Sequence, residues 1–140
     1  MKRIAAMALV LMVSAGLAQP VPTRPAFEAF EVATVKPVDP GPKAGRLFKM
    51  DGTHRWIATN YTLKSLIALA YDMNPRTISG GPAWLESQAY TIEAITPGDI
   101  RPARLEQMQM LRALLVERFG LRFHYQDKEF SIYELRVAEG

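Results

Sequence analysis

The chain has 140 residues and no cysteine. That absence removes thiol nucleophiles, thiolate-held structural zinc and iron–sulfur clusters. It also excludes a lipid anchor built on a cysteine at a leader cleavage site. Histidine is nearly as scarce, with only His54 and His124. A catalytic zinc normally takes three protein ligands, and no His-Glu-x-x-His is present, so neither a metal nor another cofactor is expected. There is no Gly-x-Ser-x-Gly elbow, and Ser79 stands on the wrong side of its two glycines for one. Ser79-Gly80-Gly81-Pro82 lacks the glycine spacing and the Lys-Ser or Lys-Thr of a phosphate-binding P-loop. Long basic runs are missing too. The chain carries 17 Lys+Arg against 14 Asp+Glu, a formal charge of +3. Two of those basic residues, Lys2 and Arg3, lie in the first three positions, so the remainder is close to neutral. The electrostatic footprint of a nucleic-acid binder is therefore absent.

The N-terminus has the pattern of a secretory leader. Met1-Lys2-Arg3 is basic, Ile4 to Val13 is apolar, and Gly16 and Ala18 offer small residues at the −3 and −1 places of a cleavage site. The apolar run is shorter than the roughly 20 residues of a membrane span, and Pro20, Pro22 and Pro25 follow it. The expectation is cleavage after residue 18, a periplasmic or secreted location, and no membrane span in the mature chain. The 122 residues from Gln19 onward suffice for one domain with one core, without disulfide staples.

Residues 19–29 read as a proline-rich linker, and residues 30–138 as a single domain. Phe30 to Val35 alternates as a strand, stopped by Pro37. Leu47 to Met50 and Arg55 to Thr59 flank Asp51-Gly52, a hairpin signal with a loop slightly longer than two residues. Thr62 is placed to cap a helix whose apolar stripe is Leu63, Leu66, Ile67, Ala70 and Tyr71, ended by Asn74-Pro75. Strands are expected at Arg76–Ser79 and Tyr90–Ile95. Pro102 opens a second helix with Leu105, Met108, Leu111, Leu115 and Phe119 on its apolar face, and Gly120 stops it. Leu121–Asp127 and Ser131–Val137 read as two final strands. The fold class is α+β: two helices on one side of a mainly antiparallel or mixed sheet, with two β-α-β-like units as a possible internal repeat.

Several of these segments together resemble a family. Phe30-Glu31-Val32-Ala33-Thr34-Val35-Lys36-Pro37, Thr59 to Ile67, Ile78 to Leu85, Tyr90 to Ala94, and Met110 to Leu115 with Glu117-Arg118-Phe119 and Leu121 to His124 occur in the family's order. The chain resembles, over about residues 30–138, a heavily duplicated family of exported proteins of soil acidobacteria whose domain has no known function. Some members look like the outer part of membrane sensors carrying a metallopeptidase-like region. Glu129-Phe130-Ser131-Ile132-Tyr133 departs from the family's acidic residue followed by Leu-Pro-Val-Tyr. Members usually continue beyond the last strand, so a C-terminal region is expected to be missing here. Thr62 to Leu66 is also similar to the short β-α-β domains at the periplasmic ends of secretins and TonB-dependent receptors, which bears on architecture alone.

For a site, alternation in Leu121–Asp127 puts Leu121, Phe123 and Tyr125 on one face and Arg122, His124 and Gln126 on the other. Phe123 should face the core against Leu111 and Leu115. A sheet with helices on one side leaves its polar face open to solvent or a partner, which makes Arg122, His124 and Gln126 candidate binding residues. The Gly80-Gly81 turn and Trp84 are the second candidate. There the glycines let Trp84 fold back onto the core, or Trp84 and Leu85 line a small groove. Three readings stay open: a non-enzymatic module that binds or senses an envelope protein or small ligand, an exported hydrolase assembled from dispersed carboxylates and His124, and a structural component of an envelope complex.

Overall fold

The computed structural model describes residues 23–39, 44–129 and 131. The leader and most of the expected strand Ser131–Val137 lie outside the described residues. Four strands, β1 (Val32–Val38), β2 (Leu47–Asp51), β3 (Arg55–Thr62) and β4 (Ala89–Ile95), form one antiparallel sheet in the order β1-β4-β3-β2. The helices are α1 (Leu63–Tyr71), the short α2 (Trp84–Ser87) and α3 (Arg104–Phe119). The α+β class and the antiparallel sheet agree with the sequence reading.

Strand alternation decides which face is buried. Trp56, Ala58, Ile92 and Ala94 point inward and are at most 2% exposed. They meet Leu63, Leu66, Ile67 and Ala70 of α1, and Met108, Leu111, Leu114 and Leu115 of α3. Both longer helices therefore lie on one side of the sheet. On the other side Arg55 donates to Glu93 at 2.7 Å and stands 3.7 Å from Asp51, a solvated ion-pair row.

The expected hairpin is present, with Gly52, Thr53 and His54 between its strands. Its second strand bulges between Ala58 and Tyr61, where Asn60 adopts φ +59° and donates from Nδ2 to the Gly45 carbonyl at 3.0 Å. Asparagine tolerates this left-handed conformation better than most residues. Thr62 caps α1 by accepting from Ser65 N–H. Gly120, at φ +60°, ends α3 with its N–H on the Leu115 and Val116 carbonyls.

Five local expectations are corrected. Pro37 does not stop β1, which runs through it to Val38. Among the described strands β1 lies at the edge of the sheet, where a residue without N–H is tolerated. Arg76–Ser79 is not a strand: Pro75–Thr77 is a 3-10 turn capped by the Asn74 side chain, which accepts from Arg76 N–H at 3.0 Å. Leu105 is 80% exposed. At about 100° per residue it falls on the far side of the stripe centred on Leu111 and Leu114. Leu121–Asp127 belongs to no strand, and Phe123 is 49% exposed rather than in the core. Trp84 is 43% exposed on α2, and its neighbour Leu85 packs inward instead. Two strand-to-helix passages, β3–α1 and β4–α3, are present, but the segments expected to close each β-α-β unit are not strands.

The described part of the stretch read as a linker lies against the domain. Phe27 is buried, and the Arg24 guanidinium grips Glu106 with Nε at 3.2 Å and NH2 at 2.6 Å.

Candidate functional site

Among the described residues, a groove lies where α1 ends. Arg112 on α3 donates from Nε to the Ala70 carbonyl at 2.7 Å, and its guanidinium sits 4.8 Å from the Tyr71 ring centre. A cation suits a helix C-terminus, where carbonyls are left unpaired. Asp72, left-handed at φ +52°, turns the chain, and both its N–H and that of Met73 bond the Ala68 carbonyl. The chain then passes Thr77, Ile78 and Ser79 along one wall. Residues Phe123 to Lys128 form the other. Together they enclose about 320 Å³.

The floor is apolar, from Ile67, Met73 and Ile78, and the rim is polar, with Ser79, His124, Gln126, Asp127 and Lys128. Aromatic rings line the middle. Tyr71 and Phe123 meet edge to face at 4.7 Å, and Phe123 and Tyr125 at 5.6 Å. Burial pushes the Tyr71 hydroxyl above its ordinary pKa, against the opposite pull of Arg112. Tyr71 therefore stays a neutral donor and acceptor at the groove wall.

The structure divides the expected site. His124 and Gln126 line the groove, but Arg122 does not. Phe123 and Tyr125 line it with them, because outside a sheet successive side chains are not sorted to two faces. Gly80 and Gly81, at φ +86° and +84°, carry the chain away from Ser79 toward α2. A Cβ at Gly81 would come 2.9 Å from Leu85 Cδ1, so this turn serves packing. Trp84 lies outside the groove. Tyr71, Met73 and Ile78 were not singled out as site residues; Tyr71 stood only as the end of the α1 stripe, and nothing local marked Met73 or Ile78.

A smaller cleft of about 210 Å³ lies between the entry to β1 and the end of α3. Arg118 is engaged there on the Ala33 carbonyl at 3.1 Å, which closes part of the β1 edge. Among the described residues no three of His, Cys, Asp and Glu come together as metal ligands.

Taken together, these features describe a small α+β domain with one aromatic-walled groove beside its first helix. The chain belongs to the family described as protein of unknown function (DUF3738), whose model matches residues 64–140. The match covers α1 from Lys64 onward, α3 and every groove residue, and it bears on neither the source organism nor gene duplication. No curated protein and no solved structure shows a significant match.

Proposed function

We propose that this is an exported binding or sensing module whose ligand occupies the groove between Tyr71 and Phe123–Lys128. One observation carries the reading: an apolar floor, three aromatic rings and a polar rim converge on a space of ligand size. Binding sites for small molecules have this make-up, mostly apolar with a few placed polar groups, and begin near 300 Å³. A small amphipathic ligand fits it, with an apolar or planar body against Ile67, Ile78 and Phe123 and polar groups toward His124 and Gln126. The leader pattern of residues 1–18 supports a periplasmic or secreted location. Intact mass of the exported protein should show a chain beginning at Gln19.

Native mass spectrometry of protein recovered from a Gram-negative periplasm tests the binding reading. A co-purified mass that disappears in Tyr71→Ala supports it. A mass retained in Tyr71→Ala, or no adduct from any extract, opposes it.

A second reading has one observation in its favour. Ser79, His124 and Asp127 line the same groove, the residue types of a hydrolase nucleophile, base and orienting acid. No hydrogen bond links any two of them among the described residues, so binding remains the leading reading. Labelling by a fluorophosphonate probe that is lost in Ser79→Ala would reverse that order.

A further inference from the structure

The end of the domain where Arg24 meets Glu106 carries a partly apolar surface. Leu105, in the first turn of α3, is 80% exposed, and Ile100 just before the helix is 43% exposed. Arg101 and Arg104 stand exposed between them. Arg104 is held 4.6 Å over the Phe48 ring, a contact that leaves its charge intact. The opposing acids are Asp99 and Glu106, and Glu106 is taken up by Arg24 and the Ala103 N–H, both at 2.6 Å. The helix N-terminus is thus already capped, and Arg101 and Arg104 outnumber the remaining acid. Two exposed aliphatic side chains thus bracket two exposed arginines over Ile100–Leu105, a short amphipathic patch.

The chain enters the fold at this same end. Arg24 is fixed to Glu106, and Pro25 lies so close to Gly98 that a Cβ there would come 2.7 Å from its Cγ. Upstream lies the apolar run Ile4 to Val13. The eleven residue steps from Val13 to Arg24 span at most about 40 Å. Any membrane engaged by that run therefore lies within reach of the patch.

We propose that the Ile100–Leu105 patch rests on an anionic lipid surface while the leader is attached. Leu105 and Ile100 would enter the headgroup boundary, with Arg101 and Arg104 on lipid phosphates. Interfacial segments combine apolar area and basic charge in this way. The inference rests on the leader reading and is independent of the groove.

The absence of cysteine allows a direct test. The full chain is made by cell-free synthesis with phosphatidylcholine vesicles, with or without phosphatidylglycerol. A polarity-sensitive dye is placed at Leu105→Cys or, as a control further along α3, at Val116→Cys, also exposed at 53%. The dye at 105 should shift to the blue with phosphatidylglycerol and not without it, and the dye at 116 should not shift. Arg101→Ala with Arg104→Ala should reduce the docked population on the order of 30-fold, from the usual contribution of a basic residue near an anionic surface. Chain that sediments with vesicles but shows no greater shift at 105 than at 116 overturns the patch and leaves the leader reading standing. Chain that fails to sediment overturns both. A shift at 105 that follows protein concentration without lipid assigns the patch to self-association instead.

Discussion

Phe123 sets its ring edge against Tyr71 at 4.7 Å, which ties the chain beyond α3 to the last residue of α1. The contact is a clamp at the groove rather than a core contact, because half of Phe123 remains in solvent. Phe123→Ala should therefore cost about 1–2 kcal/mol, less than the roughly 3–5 kcal/mol of a fully buried phenylalanine. Leu111→Ala, at a site with no exposure, should cost about 2–5 kcal/mol. Urea melts of the two variants compare them, and equal losses would place Phe123 in the core.

Tyr71 should ionise above the ordinary tyrosine range in an alkaline titration followed by tyrosinate absorbance. Burial raises its pKa in the fold, so the folded state holds its proton at pH values where the unfolded chain has lost it. That contribution to stability is present below the ordinary tyrosine range and is lost as pH rises through the raised value. Tyr71→Phe should remove the late step and flatten the alkaline limb of stability. A titration in which Tyr71→Phe removes an early step would contradict the burial.

Trp56 fills the centre of the core with no exposure, between Phe30 at 5.3 Å and Phe48 at 5.2 Å. Its Nε1 has no hydrogen-bond partner among the described residues. An unpaired buried donor costs about 1–3 kcal/mol, so Trp56→Phe should regain part of the packing it loses. The expected loss is under about 2 kcal/mol, against about 3–5 kcal/mol for Trp56→Ala. Thermal melts decide this, and equal losses would show that Nε1 is satisfied.

The Arg24–Glu106 pair makes the docked N-terminal strap acid-sensitive. Arg24's hydrogen bonds, and then the Ala103 N–H, hold the Glu106 carboxyl below the usual carboxylate range. A lowered carboxyl stabilises the fold above its unfolded pKa, and the stabilisation is lost as pH falls through the folded value. Arg24→Ala should thus be less stable than the wild type at neutral pH, and the gap should close on acidification. Gly98→Ala should loosen the same strap at every pH, since φ is +67° and a Cβ would strike Pro25. A pH-independent gap for Arg24→Ala would mean that the pair contributes nothing.

How much was legible in the sequence follows from how local each signal was. Thr62, Asp51-Gly52 and Gly120 act within a few residues, and each stands where its chemistry requires. The α1 stripe was legible because five apolar residues share one face. The α3 stripe was misplaced at Leu105, because Met110 and Leu114, both buried, shift its centre away from that residue. Arg76–Ser79 was misread as a strand because Asn74-Pro75 fixes a capped 3-10 turn there. The groove was half legible. His124 and Gln126 were picked out by alternation, but Tyr71, Met73 and Ile78 join them only through tertiary packing, which no period in the sequence encodes.

Methyl-detected NMR of the chain against a fragment panel tests the central claim most directly. Resonances of Ile67, Met73 and Ile78, which floor the groove, report on its occupancy. Binding at the groove predicts that the strongest fragments shift these methyls, and that Tyr71→Ala abolishes the shifts while the Leu111 and Leu115 methyls keep their folded positions. Fragments that leave the three floor methyls unmoved, or that shift Leu114 at the Arg118 cleft instead, would contradict the account.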